Sequence, residues 1–373
     1  MNEKLERGEP LEELVKGSID YMLREIRDAF HALFRGRDDE WYPWIEEIFA
    51  DHLIANDTDL GVSEYYRVDY ARGEYVVFLD DDSCPHAGSI ARMIALFGAD
   101  ARLGAAGFMV HLPNGGCEAG ALPDIFVGCG VGLRAEALRA VGGLDRTLFM
   151  QAEEYDLSFR LIQAGWAVKT FTDLHVDHLK IQQARVNGRT VYYDIRNNLI
   201  VGARYLPDHV VIPLLQDYTQ RYRWLAAEGN KLDAYERGRR EGWRRRQAER
   251  RAYTRWRLTH ATFESLFRFA EIEQHMQALA KRGVERIMLA DLGKHVYPFV
   301  RAAHLAGLVI TCVADDRFAC PGRRYRGVPV STVPEGLNTA PAAIVVSNTS
   351  CVRARACQQR LAKVTDIPVY RWI

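Results

Sequence analysis

Two groups of carboxylates are the residues with chemistry to offer. Asp80, Asp81 and Asp82 follow the apolar run "YVVFL" without a break, and Glu153, Glu154 and Asp156 open a helical stretch further along the chain. Burying one ionised carboxylate costs several kcal/mol unless a cation or hydrogen-bond donors compensate it. Three in a row at a strand end therefore ask for a metal, a cationic ligand or a solvent-filled cleft. Carboxylate oxygens are hard ligands that suit Mg²⁺ or Mn²⁺, ions that keep open positions for substrate phosphates. A metal-binding acidic site with a separate acidic site for a general base is what metal-assisted displacement requires. Plainer roles stay open for both groups. Asp82 or Ser83 can cap the helix "SIARMIALF". The second group can complement a helix dipole, with Asp156 and Arg160 as an i,i+4 pair. Between the two groups, Gly128, Gly130 and Gly132 in "FVGCGVGL" allow backbone to approach a ligand closely.

The elements that must position these residues are legible from hydrophobic spacing. From about Ile54 to His178, short apolar runs alternate with helical ones. "YVVFL", "LGAAGFMV" and "AVKTFTD" read as strands, and "SIARMIALFG", "RAEALRAVGG" and "EEYDLSFRLIQAG" as helices. This alternation predicts an α/β domain with a mostly parallel sheet and functional groups at the carboxyl ends of its strands. Residues 1–53 read as helices, and residues 208–282 as a helical connector rich in Arg, Glu, Gln, Ala and Trp. After Gly283 a second, smaller α/β unit follows through "VERIMLADLG", "LVITCVADD" and "AAIVVSN", with the rhythm of a Rossmann-like fold. Its first turn keeps Gly293 but has Asp291 where a dinucleotide fingerprint starts with glycine, which disfavours an NAD(P)-dependent oxidoreductase. Asp315 and Asp316 end its second strand, where an acid can bind a ribose or sit in a solvated turn.

Composition excludes several classes. Lys plus Arg and Asp plus Glu both total 49 in 373 residues, so no global field points to nucleic acid. The seven cysteines are scattered and form no C-x-x-C pair, which argues against a disulfide framework or zinc ribbon and suits a reducing cytoplasm. No run reaches the roughly 18 apolar residues of a membrane span, and the polar, acidic start is unlike a signal peptide. One local charge run remains, "RGRREGWRRRQAERRAYTRWR" at 237–257, with ten arginines and interleaved aromatic residues. It reads either as a solvated helix paired with Glu236, Glu241, Glu249 and Glu264, or as a patch for anionic lipid or a lipid-linked phosphate at the inner face of a membrane.

The blocks "ARGEYVVFLDDDSCPHAGSIARMIALF", "GCGVGLRAEALRAVGGLDRTLFMQAEEYDLSFRLIQAGWAV", "FTDLHVDH" and "YYDIRNNLIVGARYLP" occur in this order over residues 54–207. Together they resemble family 2 glycosyltransferases of the GT-A fold, with rhamnosyltransferase-like members the nearest in flavour. The resemblance implies an inverting transfer from a nucleoside-diphosphate sugar to an acceptor hydroxyl, with a glycan or a lipid-linked molecule as acceptor. It implies Mn²⁺ or Mg²⁺ held by Asp80, Asp82 and His178, and a donor surrounded by Asp80, Asp81, Gly130 and Arg160. Glu154 falls at the position of the catalytic base, with Glu153 supporting it and Asp156 and Arg160 locking the helix. The family begins with a strand, a donor loop and a second strand that seat the nucleotide base, and these are not recognisable before Tyr75. A catalytically impaired scaffold or acceptor-binding protein is therefore the competing expectation. Residues 283–373 resemble the small Rossmann-like modules of bacterial sugar-modification proteins.

Overall fold

The computed structural model describes residues 73–80, 83–179 and 188–372, all within one compact unit spanning residues 63–373. The helices expected over 1–53, and Asp81 and Asp82, lie outside the described residues. The architecture is α/β, built on two sheets joined by a helical layer.

The first sheet contains β1 (Tyr75–Phe78), β2 (Ser83–Pro85), β3 (Leu103–His111), β4 (Cys117–Glu118), β5 (Val131–Arg134) and β6 (Ala167–His178). Their order is β1-β5-β3-β6-β2, with β4 paired to β3. Helices α1 (Ser89–Ala99), α2 (Ala135–Ala140) and α3 (Glu153–Gln163) connect them. The sheet is mixed, not mostly parallel: β3 and β6 run parallel, while β1–β5, β3–β5, β3–β4 and β2–β6 are antiparallel. A helical crossover returns the chain to the same end of a sheet and makes parallel neighbours. Here β5 is entered from a loop after the β3–β4 hairpin, with no helix between, so it runs against both neighbours. Because β5 opposes both β1 and β3, the carboxyl ends of β1, β3 and β6 still share one edge of the sheet. Gly130 permits the turn into β5: its φ is 90°, and a Cβ there would lie 2.5 Å from Val176 Cγ1.

The helical layer comprises α4 (Gly188–Tyr205), α5 (Asp208–Glu228), α6 (Leu232–Ala252), α7 (His260–Phe267) and α8 (Phe269–Lys281). Its apolar residues form one cluster that includes Ile195, Leu199, Tyr205, Leu214, Tyr235 and Phe263. The α4–α6 crossing is close because α6 presents Gly238, where a Cβ would lie 2.3 Å from the Tyr192 carbonyl oxygen. No helix among the described residues is long and apolar enough to cross a membrane.

The second sheet is built from β7 (Arg286–Ala290), β8 (Val309–Ala314), β9 (Arg324–Tyr325), β10 (Val328–Ser331), β11 (Ala343–Val346) and β12 (Val369–Tyr370), in the order β12-β11-β7-β8-β10-β9. All its pairings are parallel except the β9–β10 hairpin. Continuous apolar runs such as "AIVV" occupy its centre, buried at every position, as a sheet covered on both faces demands. Helices α9 (Tyr297–Leu305), α10 (Val333–Leu337) and α11 (Cys351–Leu361) complete the unit.

Candidate active site

The chain leaves β1 at Phe78 and turns at Asp80, whose carbonyl accepts from the Ser83 amide (3.0 Å) and hydroxyl (2.7 Å). Asp80 Oδ2 then lies 3.4 Å from Nε2 of His178, the last residue of β6. On its other side the His178 ring meets Glu118 of β4, with Nδ1 3.2 Å from Oε2. Three strand ends thus bring a buried imidazole between two carboxylates. A ring nitrogen that is not donating has a lone pair to offer a cation.

Donor atoms of Asp80, His178 and Cys129 lie within 4.8 Å of one another. Burial pushes the Cys129 thiol up to about 11, so it keeps its proton near neutrality and is a poor partner for a hard ion. The carboxylate oxygen of Asp80 and the ring nitrogen of His178 suit a divalent ion such as Mn²⁺ or Mg²⁺, and Glu118 meets the opposite edge of the ring.

The second acidic group sits at the start of α3, presented by an unusual loop. Phe149, Gln151 and Ala152 all have left-handed backbones, with φ of 65°, 68° and 67°. Such conformations cost of order 1–3 kcal/mol each in non-glycine residues and persist only where the surroundings enforce them. Asn197 of α4 does so here. Its Nδ2 reaches the carbonyls of Leu148 (2.7 Å), Met150 (2.7 Å) and Gln151 (2.8 Å), while Arg196 donates to the Thr147 carbonyl (2.9 Å). The "RNN" of the fourth sequence block is therefore the clamp on the loop that carries Glu153 and Glu154.

Glu153 is left short of donors, while backbone amides of Glu154 and Ala152 serve Glu154. Glu153 Oε2 is shielded from solvent and has no hydrogen-bond partner among the described residues. Burial, reinforced by the negative fields of Glu154, Asp80 and Asp194, pushes Glu153 up to about 8. Burial also raises Glu154, against the opposing charge of Lys294 and with Glu118 adding to the rise. Glu153 therefore feels Asp80, and Glu154 feels the Glu118 that touches His178. The two acidic groups form one electrostatic site.

Asp156 and Arg160 belong to a different environment. Asp156 is fully buried, and its Oδ2 accepts from Arg160 Nε (3.0 Å) and Nη2 (2.5 Å). Its Oδ1 accepts from Arg204 Nη1 (2.8 Å) and the Tyr205 hydroxyl (2.6 Å). Arg160 spends a further N–H on the Val141 carbonyl (2.6 Å). Asp156 has both oxygens filled, and Arg160 is buried with its Nε, Nη1 and Nη2 all engaged, so neither side chain faces a ligand. Gly130 is likewise committed to packing against Val176 beneath the sheet.

The second sheet contributes a residue that sequence reasoning missed. The loop after β7 carries Lys294 to the first sheet's site, with Nζ 3.8 Å from the centre of the Tyr155 ring and 5.5 Å from that of Tyr218. Burial lowers Lys294 to about 8, against the fields of Glu154 and Asp194 that favour its charge. The neighbouring His295 is buried and shares hydrogen bonds with the Tyr218 hydroxyl (2.9 Å) and Thr349 Oγ1 (3.4 Å). Thr349 donates to the Ala121 carbonyl (2.5 Å), and the Ala121 amide donates to the Tyr155 hydroxyl (2.9 Å). The acids at the mouth of β7 and β8 are engaged within the loops themselves. Asp291 accepts from Asn348 (2.7 Å), and Asp315 accepts from the Leu292 amide (2.8 Å).

Glu118, Asp194, Asn197 and Lys294 thus join Asp80, His178, Glu153 and Glu154. Glu118 lies in a two-residue strand that no periodicity reveals. Asp194 and Asn197 lie inside the quoted "YYDIRNN" block, which was the available signal for them.

No family model matches the chain, and no curated protein matches it. Among solved structures, a mannosyltransferase from Pyrobaculum calidifontis in complex with GDP-Man and Mn²⁺ is similar, at 17% identity and a TM-score of 0.31, over 58% of this chain and 73% of that one. Superposition at that level carries no weight on activity, and the functional reading rests on the side chains above.

Proposed function

We propose that this chain is a metal-dependent, inverting glycosyltransferase that moves a sugar from a nucleoside-diphosphate donor to a hydroxyl of a glycan or lipid-linked acceptor in polysaccharide or glycan synthesis. One observation carries the reading: the Asp80–His178 pair, with Glu118 behind it, and the Glu153–Glu154 pair lie within each other's electrostatic field. In this reading residues 54–207 form the GT-A-like transferase domain, 208–282 the connector and 283–373 a Rossmann-like domain that supplies Lys294. The chain works in the cytoplasm, with peripheral contact at a membrane through 237–257.

Two adjacent buried carboxylates do not both ionise readily, so the pair holds one proton. Glu153, buried with an unpartnered oxygen and facing Asp80 and Asp194, is the member that keeps it. Glu154, facing the charge of Lys294, is the ionised member and takes the acceptor proton as the acceptor oxygen attacks the anomeric carbon. Asp80 and His178, with Asp82 as a further ligand, are the residues that would hold Mn²⁺ or Mg²⁺, which supplies positive charge for the departing diphosphate. Asp156 and Arg160 keep α3 in place and touch no reactant.

Titration calorimetry with UDP-, GDP- and dTDP-sugars, with and without Mn²⁺, tests the reading. Binding of one sugar nucleotide that depends on Mn²⁺ and is lost in Asp80→Ala is the expected result. A non-catalytic scaffold binds none of them in a metal-dependent way, and that outcome removes the proposal.

A further inference from the structure

The ten arginines of 237–257 do not act alike in the structure. Arg239 pairs with Glu236 (2.7 Å), Arg245 with Glu249 (2.5 Å) and Arg250 with Asp208. Arg246 and Arg255 stack on Trp243 and Trp256. Arg257 lies 3.8 Å from Asp208. These six are held by α6 and its neighbours. Arg237, Arg240 and Arg244 follow i, i+3, i+7 spacing, so they share one face of α6, and all three are exposed. Among the described residues Arg237 and Arg244 have neither an ion pair nor a hydrogen bond, and Arg240 donates only to the Glu236 carbonyl, at 3.3 Å.

That face forms one wall of a solvent-open cavity of about 770 Å³, closed on the other side by Arg189 and Tyr192 of α4. The Arg189 guanidinium carbon lies over the Phe149 ring at 4.6 Å, and its N–H groups make no hydrogen bond or ion pair among the described residues. The acid in the lining is Glu241, and it is already engaged by the Tyr192 hydroxyl and by Arg196 Nε (2.8 Å). Four guanidiniums thus surround a hollow whose carboxylate is committed elsewhere. The close α4–α6 crossing at Gly238 makes both walls rigid.

We infer that this cavity is an anion site that takes a phosphate or diphosphate group, distinct from the Asp80–Glu154 site and beyond the donor site proposed above. Guanidinium forks match phosphate oxygens in pairs, and a cluster of four suits a group carrying two or more negative charges. A volume of this size accommodates more than a bare ion. The cavity is also tied to the carboxylates. Glu241 holds Arg196, Arg196 donates to Asn197 Oδ1 (2.7 Å), and Asn197 clamps the loop before Glu153. A phosphate-bearing molecule seated there is positioned against the same loop that presents the proposed base.

The test uses the full chain in EDTA, so that no metal-dependent sugar-nucleotide site contributes and failure of the transferase reading leaves the result untouched. Inorganic pyrophosphate is titrated by calorimetry, and flotation with phosphatidic acid vesicles against phosphatidylcholine vesicles is measured in parallel. Arg237→Gln combined with Arg244→Gln is expected to weaken the ligand that binds by about tenfold or more, since each charged hydrogen bond removed counts for that order. Arg251→Gln, an exposed arginine outside the cavity lining, leaves binding unchanged and controls for net charge. Loss of pyrophosphate binding identifies a free phosphate or diphosphate, and loss restricted to phosphatidic acid vesicles identifies a lipid headgroup. Binding of neither probe, binding that the double variant leaves intact, or a loss that Arg251→Gln reproduces in full overturns the inference.

Discussion

Two acidic environments stand within one turn of α3, and they differ in the supply of partners. Asp156 has both oxygens filled by Arg160, Arg204 and Tyr205, and Arg204 in turn meets Asp145 (2.6 Å) and Glu249 (2.8 Å). Glu153 has an oxygen with no partner among the described residues and is pushed up to about 8. The sequence letters are nearly equivalent, yet one carboxylate is structural and the other is left reactive. Helix geometry makes the difference: two or three residues along α3 turn a side chain from the sheet edge toward Arg160 of the same helix and Arg204 of α4. A carboxylate saturated by guanidiniums is a fixed charge, whereas a buried one short of donors can exchange a proton near neutrality.

The comparison can be broken by exchanging the roles. Glu154→Gln is expected to lower transfer by about 10²–10⁴-fold with little change in the melting temperature, the usual scale for losing a general base. Turnover of the sugar nucleotide identified by calorimetry measures it, and near-normal turnover would assign the base elsewhere. Asp156→Ala should do the reverse to stability, costing roughly 3–5 kcal/mol by urea unfolding, because buried Arg160 loses its carboxylate partner and Arg204 loses one of three. A folded but inactive Asp156→Ala protein would move Asp156 into the catalytic group.

Smaller changes sharpen the contrast. Asn197→Ala removes three hydrogen bonds, at about 1 kcal/mol each, from the left-handed loop. It should lower both stability and turnover, unlike either carboxylate variant. Lys294→Met removes the cation that favours ionised Glu154, so the acid limb of the rate profile should move up by about one pH unit or more. An unmoved limb would mean that the second sheet does not tune the base.

The last effect concerns Glu153 and is read across a pH window. Its acidity is weakened from the ordinary 4.5 to about 8 in the fold, so the folded state holds a proton that the unfolded chain has released. The resulting stability is present below about pH 4.5 and is lost as pH rises through about 8. Glu153→Gln should therefore be increasingly favourable relative to the parent between those limits, read from urea midpoints at several pH values. A constant difference across that window would show that Glu153 is not buried as a proton carrier.

The elements of both sheets were legible because their signals are local. Four apolar residues before Asp80 make β1, the apolar spacing of "SIARMIALF" makes α1, and the buried run "AIVV" makes β11. The mixed strand directions of the first sheet were not, since β2, β4 and β5 are each entered from a turn or loop instead of a helix, which reverses a strand without altering its alternation. Among site residues, the acids were visible by type and clustering. Glu118 was hidden by the shortness of β4, and Lys294 by its distance along the chain.

The sequence alone determined the α/β alternation, the placement of acids at a strand end and a helix start, and the charge neutrality that turns attention to local sites. Those follow from period, composition and spacing, which each residue carries with it. Only the tertiary structure decided that Asp156 is saturated while Glu153 is not, that Lys294 lies over Tyr155 with its charge felt at Glu154, and that Arg237, Arg240 and Arg244 face a cavity while their neighbours are paired. Protonation, ion pairing and ligand capacity depend on which groups meet within a few ångströms, and residues distant in sequence supply most of those partners.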